Sequence, residues 1–134
     1  MRTLIVDAEH HTVNLLTAHL KPLGELTVAP DGATAFEKFC AAIDTGAPFD
    51  LICLDTALPF LDGIDLLAGF RQYEESKGIV GGASAAIVVT TDVCSIDNYY
   101  AAASAGCTAF ICKPVDWNKF SRELERLGLL SEKS

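Results

Sequence analysis

The chain alternates between two hydrophobic rhythms. Short, nearly continuous apolar runs each end in a polar residue: Ile5-Val6-Asp7, Ile52-Cys53-Leu54-Asp55 and Val88-Val89-Thr90-Thr91. A fourth, Phe110-Ile111-Cys112, runs into Lys113-Pro114. Runs of this kind mark parallel strands buried on both faces, and they predict strands over 3–7, 26–29, 51–55, 86–91 and 109–112. Between them apolar residues recur every three or four positions, the spacing of a helix laid on a sheet. The repeating groups are Val13, Leu16 and Leu20; Phe36, Phe39 and Ile43; Ile64, Leu67 and Phe70; Ile96, Tyr99 and Ala103; and Trp117, Phe120, Leu124 and Leu127.

Gly24, Gly46, Gly78, Gly106 and Gly128 each fall just past one of these helical patterns, where a helix takes a left-handed closing residue. Ser95 and Asp116 stand where N-caps of the last two helices belong. Five strand-then-helix units with short loops predict an α/β fold: a doubly wound five-stranded parallel sheet with five helices and right-handed crossovers. Residues 1–134 are expected to form a single domain. The Gly- and Ala-rich stretch 78–85 precedes a strand and matches no phosphate-loop pattern, so it reads as a surface loop.

Composition narrows the function classes. Half of the 134 residues are apolar, yet no apolar run approaches the ~20 residues of a membrane span. The first strand begins directly after Met1-Arg2, which leaves no room for a signal peptide, so a cytoplasmic location is expected. The formal charge of −8 disfavours binding to nucleic-acid phosphates. The five cysteines, Cys40, Cys53, Cys94, Cys107 and Cys112, show neither a CxxC pair nor zinc-ligand spacing. Free structural thiols are expected rather than disulfides.

The polar residues that close the strands carry the chemistry. Open parallel sheets bind ligands beyond the carboxyl ends of their strands, which gathers Asp7, Asp55, Thr91 and Lys113 at one edge. Asp55 is the candidate nucleophile, since a carboxylate can attack phosphorus and form an acyl phosphate. That step needs charge neutralisation around the phosphoryl oxygens, by a divalent metal, a lysine and a hydroxyl donor. Asp7 is a candidate ligand for a hard cation such as Mg²⁺. Lys113 and Thr91 are candidates to contact the phosphoryl group.

Through these residues the chain resembles, over nearly its whole length, the receiver domain of two-component response regulators, the chemotaxis-regulator family. Leu4-Ile5-Val6-Asp7 is similar to the acidic end of the family's first strand. Asp31-Gly32 fits the turn after its second, and Asp55 through Gly63 is similar to its phosphoacceptor strand and loop. Gly106 through Pro114 is similar to the stretch with the switch aromatic and the Lys-Pro pair. The resemblance implies a flavodoxin-like strand order 2-1-3-4-5 and a cis Lys113-Pro114 peptide. It implies Asp55 as phosphoacceptor, with Mg²⁺ held by Asp7, Asp55 and the Ala57 carbonyl. The family interval back from Lys113 gives the switch hydroxyl to Thr91, with Thr90 as the alternative, and Phe110 takes the place of the switch aromatic. The implied partners are a histidine kinase or phosphotransfer protein as donor and a downstream protein target, with no nucleic acid or membrane.

Two departures qualify this. Where the family carries a second acid, this chain has Ala8, which predicts weak Mg²⁺ binding; Glu9 follows, starting from a different direction. Asp92 stands where a small residue normally opens access to the phosphoryl group. The leading reading is a stand-alone phosphoacceptor receiver rather than an enzyme. The alternatives are a pseudo-receiver acting as a phosphorylation-independent interaction module, and an aspartate-nucleophile phosphohydrolase. The hydrolase is disfavoured because it needs an acid where Ala57 stands. Glu9-His10-His11 reads as a solvated helix start, Asp62 and Asp65 as helix-start residues, and Trp117 as the anchor of the last helix. A partner-binding face is expected near Tyr99, Phe110 and Trp117.

Overall fold

The computed structural model describes residues 1–131; the expected domain's last residues, 132–134, lie outside this range. Five strands, β1 (Thr3–Val6), β2 (Leu26–Ala29), β3 (Leu51–Asp55), β4 (Ala86–Thr91) and β5 (Ala109–Cys112), form one parallel sheet. Its spatial order is β2-β1-β3-β4-β5, as the resemblance implies. Five helices alternate with the strands: α1 (His10–Leu20), α2 (Gly32–Asp44), α3 (Gly63–Ser76), α4 (Ile96–Ala105) and α5 (Trp117–Arg126). Among the described residues no helix is long and apolar enough to cross a membrane.

Successive strand side chains point to opposite faces, and both faces are covered, which explains the unbroken apolar runs. Leu4, Val6, Ile52, Leu54, Ile87 and Val89 pack in one layer with Phe39, Leu67, Phe70 and Ala102. Ile5, Leu51, Cys53, Val88 and Ile111 pack in the other with Leu16, Leu20, Phe120 and Leu124. Four helices start on side-chain caps: Asp31 and Ser95 accept N–H bonds from Thr34 and Asn98, and Asp62 and Asp116 from Ile64 and Asn118. Each cap satisfies a backbone donor that the helix itself leaves open.

Four expectations need correction. β1 ends at Val6, so Asp7 begins the turn that follows, its N–H bonded to Ala29 O at 3.2 Å. Gly24 follows a 3₁₀ turn (Lys21–Leu23) rather than closing α1. Helix α4 is rotated from its expected face: Ala102 is its buried residue, while Ile96, Tyr99 and Ala103 are exposed. Small side chains let this helix lie close to its neighbours, and its bulky residues are left outside. Finally, Cys94 and Cys112 are joined as a disulfide, whereas Cys40, Cys53 and Cys107 are free. Strand pairing and the fold of one loop bring the two sulfurs together, which spacing in the sequence does not reveal.

A buried polar network fixes the opposite edge of the sheet. Glu74 accepts from the Ala85 N–H and from Arg71 Nη1, each at 2.8 Å. Arg71 also donates to Gly106 O at 2.9 Å and to Ala85 O at 2.8 Å. One guanidinium thereby ties α3 to the start of β4 and the end of α4.

Candidate functional site

The end of β3 and the turns after β1 and β5 bring Asp55, Asp7 and Lys113 to one point. Gly63 opens α3 directly against Asp55: a Cβ there would collide with the Asp55 carbonyl oxygen. Only glycine allows this close approach, which holds the loop after Asp55 in place. Lys113 Nζ lies 3.1 Å from Asp7 Oδ2, 3.2 Å from Asp55 Oδ2 and 3.4 Å from Glu9 Oε1. Its side chain is only 3% exposed, as are those of its two aspartate partners to within a few percent. The Lys113-Pro114 peptide is cis.

Three carboxylates against one ammonium leave the site electronegative. Burial, and then the neighbouring Asp7 charge, push the Asp55 carboxyl up to about 6, against the opposing pull of Lys113. Burial works against the Lys113 charge, but Asp7 and Asp55 together outweigh it and raise its pKa. Glu9 is held below the ordinary carboxylate range by its bond from Thr12 and by the Lys113 charge.

Sequence reasoning missed the reach of Glu9. It caps α1 by position, and its N–H donates to Asp7 Oδ1 at 2.8 Å. That bond turns the chain so that the Glu9 carboxylate reaches Lys113. Ala8 instead lines an apolar recess of about 700 Å³ with Pro30, Ala33, Pro59, Phe60 and Leu61. Ala57 donates its N–H to Asp55 Oδ1 at 3.3 Å. Asp92 is exposed and joins none of the hydrogen bonds or ion pairs of the site among the described residues. His10 and His11 are exposed as well.

Thr90 and Thr91 are both buried. Thr90 stands opposite Asp55 in the sheet register. Thr91 Oγ1 accepts from Thr56 Oγ1 and from the Val93 N–H, each at 3.0 Å, and is thereby joined to the residue after Asp55 and to the β4–α4 loop. Phe110 is half-buried and meets Tyr99 edge-on, with ring centroids 5.6 Å apart. Trp117 stacks on His19 of α1 at 4.3 Å, away from that aromatic pair.

Asp7 and Asp55 suit a hard divalent cation: both supply carboxylate oxygens, and the surplus negative charge favours one. No cluster of three or more His, Cys, Asp or Glu forms a ready-made metal cage among the described residues. A cation that keeps several of its waters, as Mg²⁺ does, has no need of one.

A doubly wound parallel sheet with acids and a lysine at its carboxyl edge defines the class. The family model of the response regulator receiver domain matches residues 3–125, and the chain belongs to that family. It is 28% identical over 127 residues to the transcriptional regulatory protein QseB of Haemophilus influenzae, covering 95% of this chain and 52% of QseB. It therefore spans about half of that relative. The receiver domain of the histidine kinase CKI1 from Arabidopsis thaliana, complexed with Mg²⁺ and BeF₃⁻, superposes with a TM-score of 0.79 at 22% identity, covering 95% of this chain and 89% of that one. The BeF₃-activated receiver domain of Klebsiella pneumoniae RstA gives 0.73 at 27% identity over 96% and 98% of the two chains.

Proposed function

We propose that this receiver domain takes a phosphoryl group on Asp55 from a histidine kinase or phosphotransfer protein and changes its affinity for a downstream protein target. The observation that carries the reading is the convergence of two buried aspartates on one buried lysine, with the candidate nucleophile at a strand end. In the forward step an Asp55 carboxylate oxygen attacks phosphorus. The bond from phosphorus to the donor nitrogen breaks, and its electron pair stays with the donor imidazole. The product is an acyl phosphate and a free histidine.

In this reading Asp7, Asp55 and the Ala57 carbonyl would hold Mg²⁺, with Glu9 as a further carboxylate nearby, and the cation would supply neutralisation of the phosphoryl charge. Lys113 stays paired with Asp55 and contacts a phosphoryl oxygen. The Thr91 hydroxyl gives up Thr56 and Val93 and turns to the new group. Thr91 is preferred to Thr90 because its hydroxyl already links the residue after Asp55 to the loop that must move. That the CKI1 receiver domain is complexed with Mg²⁺ and BeF₃⁻ and the RstA receiver domain is BeF₃-activated supports this reading.

Ala8 favours the second reading, a pseudo-receiver, because an apolar recess lies where the family carries a second acid. Incubation with Mg²⁺ and a small acyl phosphate, followed by intact mass, separates the two. Wild type is expected to gain one phosphoryl group and Asp55→Asn none. Undiminished labelling of the variant, or no labelling of wild type at saturating Mg²⁺, sinks the phosphoacceptor reading.

A further inference from the structure

Cys94 lies in the loop between β4 and α4, three residues past Thr91, and Cys112 closes β5 just before Lys113. Parallel pairing sets Cys112 opposite Thr91. The Lys113 N–H then donates to Thr91 O at 2.8 Å. From Thr91 the loop folds back until the Cα atoms of Cys94 and Cys112 are 5.8 Å apart, with the sulfurs bonded. That separation lies within the span of an ordinary disulfide. Both cysteines are exposed, whereas Cys53 is buried and Cys40 and Cys107 are half-buried. These two are thus the most exposed of the five cysteines.

The position of the bond gives it a consequence. Together with the β4–β5 pairing it closes a small ring through Thr91, Asp92, Val93, Cys94 and Cys112. Within that ring the Val93 N–H is tied to Thr91 Oγ1 at 3.0 Å, and Asn98 Nδ2 donates to Val93 O at 2.9 Å. Turning the Thr91 hydroxyl away requires Val93 to leave it, and a cross-link at the next residue opposes that movement.

We propose that Cys94 and Cys112 form a reversible dithiol–disulfide site that, when oxidised, fastens the β4–α4 loop to the end of β5. The oxidant class is a low-molecular-weight disulfide such as glutathione disulfide. One cysteine thiolate attacks a glutathione sulfur, breaking the glutathione S–S bond and releasing one glutathione thiolate. The second cysteine thiolate attacks the mixed disulfide and expels the other. The two thiol protons pass to the two glutathione thiolates, so the protein loses two electrons and glutathione disulfide gains them. Slower switching at Asp55 in the oxidised form rests on the phosphoacceptor reading; the bond and its hold on the loop do not.

The test uses the full chain and Cys94→Ser, equilibrated in glutathione buffers, then alkylated and mapped by peptide mass. In oxidising buffer Cys94 and Cys112 should resist alkylation together, while Cys40, Cys53 and Cys107 react once the chain is unfolded. The Val93 amide should exchange with deuterium at least about tenfold faster in reduced protein and in Cys94→Ser, because freeing the loop lowers its local opening energy. Persistent thiols at 94 and 112 in glutathione disulfide overturn the proposal, as does a different pairing or equal Val93 exchange in both forms. In a parallel titration with Mg²⁺ and beryllofluoride, oxidised wild type should bind about tenfold more weakly than reduced, and Cys94→Ser should ignore oxidation. If no form binds beryllofluoride while cross-link and exchange behave as stated, the redox site stands and the phosphoacceptor reading alone falls.

Discussion

Asp55 is a buried carboxyl set between a neighbouring carboxylate and an ammonium, and its raised pKa has a definite sign in stability. Its folded value, about 6, lies above the ordinary 3.8. Between those values the native protein keeps a proton that the unfolded chain has already released. Stability should therefore fall as pH rises across that window, since the unfolded state binds fewer protons. Asp55→Asn cannot titrate, so the part of the fall due to Asp55 should vanish and the variant should be the more stable protein at neutral pH. Urea midpoints from pH 4 to 7 measure this; parallel curves for the two proteins would contradict it. Ala8→Asp tests the other electrostatic departure. A second acid beside Asp7 should tighten Mg²⁺ binding by about 10–100-fold, the scale on which metal sites respond to changed ligand support. An unchanged affinity by titration calorimetry would mean that Glu9 already serves. Asp7, Asp55 and Lys113 were legible in the sequence because each closes an apolar run, and strand ends gather by topology. Glu9 was not, because its reach depends on a single backbone bond to Asp7 that reorients the turn.

At the level of elements, period and caps located the five strands of the parallel sheet and the five α-helices but not the short antiparallel pair Ala57–Leu58 and Leu61–Asp62, and period alone misassigned the inward face of α4. Its large residues, Ile96 and Tyr99, suggested a stripe that the structure leaves in solvent, with the seam made instead by Ala102. Small residues leave a weak hydrophobic signature, so such a face is hard to read from a sequence. The Arg71–Glu74 network was equally hidden, because i, i+3 opposite charges usually mark a solvated helix surface. Here Glu74 is 3% exposed and satisfies the N–H that starts β4. Glu74→Ala leaves the Ala85 N–H without its acceptor, while the Arg71 guanidinium keeps its bonds to Gly106 O, Ala85 O and Thr108 Oγ1. A buried donor left unsatisfied costs about 1–3 kcal/mol. Denaturation in urea should show that loss with an unchanged slope, and a loss within ~0.5 kcal/mol would mean that water replaces the carboxylate.

Across the whole molecule, the question is how charge at one edge reaches a distant surface. In the proposed reading a phosphoryl group would add negative charge beside Asp55, and Thr91 ends the strand that leads into the connection to α4. Thr91 leaving Thr56 and Val93 releases the β4–α4 loop at one end. Phe110 lies on the adjacent strand with its ring against Tyr99, so a shift of the loop and of α4 alters the space available to that ring. The exposed Ile96, Tyr99 and Tyr100 would move with it, giving a charge event two alternative packings to choose between, as a population shift requires. Trp117 should stay out of this movement, because its stack on His19 anchors α5 to α1 instead. Beryllofluoride with Mg²⁺ should therefore perturb amide shifts around Val93, Tyr99 and Phe110 as well as Asp55, and leave the Trp117 indole N–H near its original position. Changes confined to the neighbours of Asp55 would show a site that binds without switching, the behaviour of a pseudo-receiver, and large changes at Trp117 would route the coupling through α5.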